Sequence, residues 1–269
     1  MRLGEATWNE VDAATQALAD EDGTLAPIVL IPVGSTEQHG PHLPLNTDTL
    51  VAEEIAGRAL HRTTGLMLGP TLSVTASGEH AGFAGTLSIG TEVMTQVAIE
   101  LGRSADWAAG VVFVNGHGGN HEALSRAVEL LNEEGRNVTA WWPKWRRRTD
   151  GGPPDLHAGR IETSLMLAID PGLEPAYNMV REAYAAREQW DAIVGLAERA
   201  VGATEDVAVE VAILQDAGEI LLTQLGDAAR AERLLVRLGE LAPEHPLWVV
   251  YRERMAREAS SPPAGGYDD

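Results

Sequence analysis

Two short runs of unbroken apolar, largely β-branched character set the strongest limit on this chain: Ala26-Pro-Ile-Val-Leu-Ile-Pro-Val33 and Gly110-Val-Val-Phe-Val114. A strand with one wet face alternates polar and apolar residues, so runs without alternation predict strands buried on both faces. Each run leads into a Gly-rich polar loop and then a helix. Thr49 to Leu60 puts Leu50, Val51, Ile55 and Ala59 on one stripe, with Glu53 and Glu54 between them. His121 to Glu134 does the same with Ala123, Leu124, Ala127, Val128 and Leu131, and Gly135 stands where a left-handed residue ends a helix well. Strand, loop and helix repeated in this order predict an α/β fold, a mostly parallel sheet flanked by helices. Such sheets bind ligands in the loops at the carboxyl ends of their strands, and both polar loops lie there.

Past Pro171 the strand signal fades. From Ala176 to Glu258 the chain is rich in Ala, Leu, Glu and Arg at helical spacing. Gln189–Val201 resembles Leu225–Arg237 at an offset of 36 residues, near the period of about 34 of helical-hairpin repeats. Two tetratricopeptide-like hairpins are one reading; generic amphipathic helices sharing an Ala-rich composition are the other. The expected organisation is an α/β domain over 1–172, a helical segment over 173–258 and a disordered tail over 259–269.

Forty acidic residues against twenty basic leave a formal charge of −20, which repels phosphate backbones and anionic membrane surfaces. Nucleic acid and membrane are therefore not expected partners. The absence of cysteine excludes disulfides, thiolate metal sites, iron–sulfur clusters and cysteine nucleophiles. A metal in this chain must sit on nitrogen and oxygen. No apolar run approaches the roughly 20 residues of a membrane helix, and Met1–Glu5 lacks the basic-then-apolar pattern of a signal peptide, so the expected location is the cytoplasm.

The loop after the first run reads Gly34-Ser-Thr-Glu37-Gln-His39-Gly-Pro-His42-Leu-Pro-Leu-Asn-Thr-Asp48. Glu37 and His39 alternate as same-side neighbours do on extended chain, and Asp48 stands where the next helix begins. Taken alone, Asp48 suits a helix N-cap as well as a ligand. The second loop, Asn115-Gly-His117-Gly-Gly-Asn120, adds a histidine among glycines that let backbone approach a ligand. A third stretch, His157-Ala-Gly-Arg160-Ile-Glu162-Thr-Ser, offers a further histidine and a carboxylate that could instead pair with Arg160 or face solvent. Histidines and carboxylates in this combination suit two divalent ions sharing a carboxylate, a centre that hydrolyses amides. His42, His61, His80 and His245, taken singly, suit surface or structural roles. No Gly-x-Ser-x-Gly elbow, Walker loop or dinucleotide Gly-x-Gly-x-x-Gly is present.

At these residues, from about Val29 to about Leu167, the sequence resembles the creatininase family of metal-dependent amidohydrolases. Gly34-Ser-Thr-Glu-Gln-His-Gly-Pro-His-Leu-Pro-Leu45, Ser77-Gly-Glu-His80 and Phe83-Ala-Gly-Thr-Leu-Ser-Ile-Gly90 most resemble one branch of it. That branch matures a peptide-derived redox cofactor by removing the C-terminal Val-Tyr dipeptide from a modified precursor peptide. The resemblance implies that Glu37, Asp48 and His117 bind one ion, and that His39, Asp48 and a further carboxylate bind the other. Creatininase itself has a Glu two residues beyond the motif histidine, where this chain has Gly119; the resemblance then points to Glu162 as the last ligand and to His157 as the proton shuttle. Zinc, iron and manganese all fit such a donor set. His80, Trp141 and Trp142 are candidates for substrate contact, with Trp145 beside Lys144 and Arg146 to Arg148 at the same mouth. The family continues into a final sheet element and a Gly-rich segment where this chain turns helical near Leu173. Two alternatives therefore stand beside the peptidase: an amidohydrolase for a small cyclic amide or formamide, and an inactive scaffold binding partners through its helices. A homo-oligomer is also expected.

Overall fold

A computed structural model describes residues 1–19, 26–143 and 157–260. The chain divides into two compact units, one over 1–169 and one from Asp170 onward. The first unit opens with α1 (Trp8–Leu18), started by a capping box in which Thr7 and Glu10 satisfy each other's backbone N–H groups. There follow β1 (Ile28–Val33), α2 (Thr47–Arg62), β2 (Leu66–Leu68), α3 (Gly90–Ser104), β3 (Gly110–Asn115), α4 (His121–Glu133), β4 (Val138–Trp141) and α5 (Arg160–Ile169).

The strands form one sheet in the order β2-β1-β3-β4, and all three pairings are parallel. Ile28 pairs with Gly110 and Val33 with Asn115, so the two apolar runs lie side by side along their whole length. Both faces are covered. Val29, Ile31, Val33, Val111 and Phe113 pack with Met94, Ala98 and Ile99 of α3 and with Ala123, Leu124, Ala127 and Leu131 of α4. On the opposite face Leu30 and Val114 meet Ala56 of α2 and Leu68 of β2. Burial on both faces is the physical reason these strands do not alternate. From β1 the chain moves outward to β2, and from β3 it moves the other way to β4. The carboxyl ends of β1 and β3 thus flank the switch point at which an open parallel sheet forms a crevice.

The second unit is helical among the described residues: α6 (Glu174–Ala185), α7 (Trp190–Ala200), α8 (Val207–Ile220), α9 (Ala228–Leu241) and α10 (Pro246–Ser260). Asp206 and Asp227 cap α8 and α9, accepting hydrogen bonds from Ala208 N at 2.8 Å and Arg230 N at 3.0 Å. A π turn, Leu221–Leu225, ends α8 before Gly226. Each helix packs on the next, as in any array of helical hairpins. The two similar segments fall on α7 and on the chain entering α9, so α8 separates them. Ala259 and Ser260 belong to α10, whereas 261–269 lie outside the described residues. Among the described residues no helix is long and apolar enough to cross a membrane.

Candidate metal centre

The helix after β1 starts two residues earlier than its apolar stripe implied. Thr47 opens α2, and its hydroxyl donates to the Pro44 carbonyl at 2.7 Å. The N-cap position therefore falls on Asn46, and Asp48 is freed from capping. Its carboxylate, 3% exposed, accepts from Ser35 Oγ at 2.8 Å and lies 3.1 Å from His39 Nε2 and 2.9 Å from His117 Nδ1. Two glycines permit this approach: a Cβ on Gly34 would stand 2.3 Å from Thr49 Cα, and one on Gly116 2.3 Å from the Asp48 carbonyl oxygen. The first turn of α2 rests directly on the ends of β1 and β3, with its positive dipole end toward the carboxylate.

The two asparagines of the second loop hold the strand ends in register. Asn115 donates to the His117 carbonyl at 2.6 Å. Asn120, fully buried, donates to Gly34 O at 2.9 Å and to Asn115 Oδ1 at 3.1 Å while accepting from Ala76 N at 3.1 Å. One amide thereby ties the loops after β1, after β2 and after β3.

The structure brings together Glu37, His39, Asp48, His117, Glu162, His157 and His80. Four groups of ligand-type atoms lie within 4.8 Å of one another: Glu37, Asp48 and His117; His39, Asp48 and Glu162; Glu37, His39 and His157; and Glu37, Glu79 and His80. The first two share Asp48. Glu162 stands in the first turn of α5 and accepts from Ala158 N. His157 lies with Nε2 2.7 Å from the Gln38 carbonyl and Nδ1 3.7 Å from Glu37 Oε1, its ring 4.4 Å from the stacked ring of His80. His42 instead bonds Thr163 Oγ1 at 3.0 Å, fastening the first loop to α5.

Glu37 is the chemically exposed member of this set in everything except solvent. It is fully buried, and neither carboxylate oxygen has a hydrogen-bond partner; the imidazole nitrogens beside it are His117 Nδ1 at 3.3 Å and His80 Nε2 and His157 Nδ1 at 3.7 Å. Burial pushes its pKa up to about 7, against the pull of His117. Asp48 is penalised by burial too, but its contacts with His117 and His39 hold it well below the usual carboxylate range. Burial disfavours the charge on His39, yet Asp48 outweighs it and the ring rises to about 9; His117 is raised in the same way. His157 moves down, chiefly through burial. A buried carboxylate with two bare oxygens, facing nitrogen and oxygen donors only, fits divalent cations.

A cleft of about 210 Å³ opens onto these groups, lined by Glu37, Asp48, Glu79, His80, His117, Gly118, Gly119, His157 and Glu162. Neither Trp141 nor Trp142 lines it. Trp141 ends β4 and is 41% exposed, while Trp142 leans on His121 with ring centroids 4.6 Å apart. Lys144, Trp145 and Arg146 to Arg148 lie outside the described residues. Sequence reasoning passed over Ser35, Gln38, Glu79 and Asn120. All four stand in motifs already singled out, but only Glu79, a carboxylate beside His80, is itself of a metal-ligating type.

A parallel sheet with this cluster at its switch point defines a class, and the creatininase (creatinine amidohydrolase) family profile matches residues 4–235. The chain belongs to the creatininase family. It is 48% identical over 154 residues to the mycofactocin precursor peptide peptidase of Mycolicibacterium smegmatis, covering 55% of this chain and 60% of that protein. Its identity to the creatinine amidohydrolase of Pseudomonas putida is 30% over 198 residues, 64% of this chain and 72% of that one. The chain thus spans about three fifths of the length of the peptidase relatives. Among solved structures, a tryptophan variant of creatininase superposes with a TM-score of 0.53 at 27% identity, over 64% of this chain and 74% of that one. A variant creatininase described as Zn-Zn type gives 0.51 at 26% identity, over 64% and 73%.

Proposed function

We propose that this chain is a two-metal amide hydrolase that removes the C-terminal Val-Tyr dipeptide from the mycofactocin precursor peptide. The observation that carries the metal reading is Glu37, a fully buried carboxylate neither of whose oxygens has a hydrogen-bond partner. In this reading Glu37, Asp48 and His117 hold one ion, and His39, Asp48 and Glu162 the other; the peptide substrate is supported by the 48% identity to the Mycolicibacterium peptidase. Zinc, iron and manganese suit the donors. Bound there, such a pair supplies water ionised near neutral pH and a positive charge that polarises the scissile carbonyl.

The chain's own residues supply the rest. Ser35 and the two histidines fix the Asp48 carboxylate, so it needs no reorganisation as charge develops. His157 Nε2 lies 2.7 Å from the Gln38 carbonyl oxygen and 3.0 Å from the Gln38 side-chain nitrogen, while its Nδ1 stands 3.7 Å from Glu37. A hydrogen on Nε2, given to the carbonyl, would leave the Nδ1 lone pair toward the cleft. His157 can there take the proton released by the attacking water and return it to the leaving amine nitrogen. His80, stacked on His157, keeps that ring upright and meets the substrate beside it.

The test is incubation of the full chain, loaded with zinc, iron or manganese, with a synthetic precursor peptide ending in Val-Tyr. Loss of the dipeptide by mass spectrometry, abolished by chelator and by Glu37→Gln, is expected. An intact peptide with a folded, metal-loaded chain sinks the peptidase reading, and turnover of a cyclic amide or formamide would replace it. A folded chain that retains no metal would favour a scaffold.

A further inference from the structure

Glu79 is half exposed, on the short 3-10 turn Gly78–His80, and its Oε1 stands 3.3 Å from His117 Nε2. That is the ring edge opposite Nδ1, which faces Asp48 and Glu37 at 2.9 and 3.3 Å. The Ala76 carbonyl oxygen lies 3.0 Å from the same Nε2. Both ring nitrogens thus face acceptors; when a cation takes Nδ1, the Ala76 oxygen and Glu79 hold the remaining hydrogen on Nε2. This is the tautomer a ligating histidine needs, and a carboxylate behind the ring makes it a better donor.

The neighbouring loop is cut to admit this contact. A Cβ on Gly119 would fall 2.2 Å from Glu79 Oε1, 2.4 Å from His117 Nε2 and 2.5 Å from the Ala76 oxygen, whereas a Cβ on Gly118 would meet nothing within 4 Å. Of two adjacent glycines, then, one is bare for reasons of space, and Glu79, His117 and the Ala76 oxygen share that space. We propose that Glu79 is a positioning carboxylate that sets the tautomer and strengthens the donor power of His117, reaching it through the gap beside Gly119. The inference rests on the metal-binding reading of the site.

The experiment uses the full chain as wild type, Glu79→Gln, Gly119→Ala and the double variant, with zinc affinity measured by competition against a chromophoric chelator. In parallel, imidazole nitrogen NMR of the chelated protein follows the His117 Nε2–H signal. Expected are two ions per wild-type chain and a 10–100-fold weaker affinity for one of them in Glu79→Gln. Gly119→Ala, which crowds His117 and the Ala76 oxygen as well as Glu79, should lose at least as much, alone or in the double variant, and the Nε2–H signal should move in all three. Wild-type affinity for both ions with an unmoved Nε2–H signal in Glu79→Gln would overturn the proposal while leaving the metal centre standing. A folded wild-type chain that binds no zinc, iron or manganese would remove the metal centre, and this proposal with it.

Discussion

Replacing Glu37 by Gln should destroy the site and stabilise the protein that carries it. The side chain is fully buried with both oxygens bare, and burial lifts its pKa from 4.5 to about 7. Its folded-state value lies above the unfolded one, so stability is intact below about pH 4.5 and is lost as pH rises through about 7. Once both states are ionised, the difference costs about 3 kcal/mol; near pH 5 it is below about 1 kcal/mol. Gln has the same shape and cannot ionise. Compared without metal, Glu37→Gln should exceed wild type by about 3 kcal/mol at pH 8, or roughly 6–12 °C in Tm for a unit of this size, and should nearly match it at pH 5. Urea or thermal unfolding of chelated proteins at the two pH values reads this directly. With zinc restored the order should reverse, because only the wild type gains from the ion. A chelated variant less stable than wild type at pH 8, or a gap that ignores pH, would refute the picture of an uncompensated buried carboxylate.

Three further outcomes follow from other parts of the site. Chelated Glu37→Gln should itself lose stability between pH 6.5 and pH 9, because the raised value of His39 makes its contribution complete below 6.5 and lost on rising through about 9; a flat Tm over that range would count against the His39–Asp48 contact. Asn120→Ala, which strips partners from Gly34 O and Ala76 N, should cost about 2–4 kcal/mol by unfolding, and a loss under 1 kcal/mol would mean the loops hold without it. His157→Asn should keep its metal, measured by mass spectrometry, while kcat falls about 10²–10⁴-fold; equal loss of metal and activity would assign it a different role.

The parts legible in the sequence are those where one physical demand acts alone. β1 and β3 are buried on both faces, and that shows as runs without alternation. α4 was readable because its apolar stripe and Gly135 agree with each other. β2 was not, since three residues at a sheet edge carry no period. α3 was hidden because Thr95 and Gly102 interrupt its buried face; Gly102 is there to admit Leu131, whose Cδ1 would lie 2.4 Å from any Cβ added. In the site, Glu37, His39, Asp48 and His117 stood out because ligand types recur after buried strands. Asp48 needed the structure to settle it, for only the start of α2 at Thr47 separates a cap from a carboxylate aimed at two histidines. Ser35 and Asn120 act through hydrogen bonds to residues remote in sequence, a relation that one-dimensional spacing does not encode.

The Asn120 amide also bears on how such a chain can change over generations. Its partners are the backbone of Gly34 and Ala76 and the side chain of Asn115, so three loops share one fixed point. A lengthened or shortened loop on the strand side of that point would break the knot for the other two, and single changes there would be lost. Beyond it, the exposed positions that do not line the cleft, such as Phe83 and Leu87, are the ones free to vary. Divergence toward new substrates is thereby channelled to the rim of the cleft, while its floor is inherited as a block.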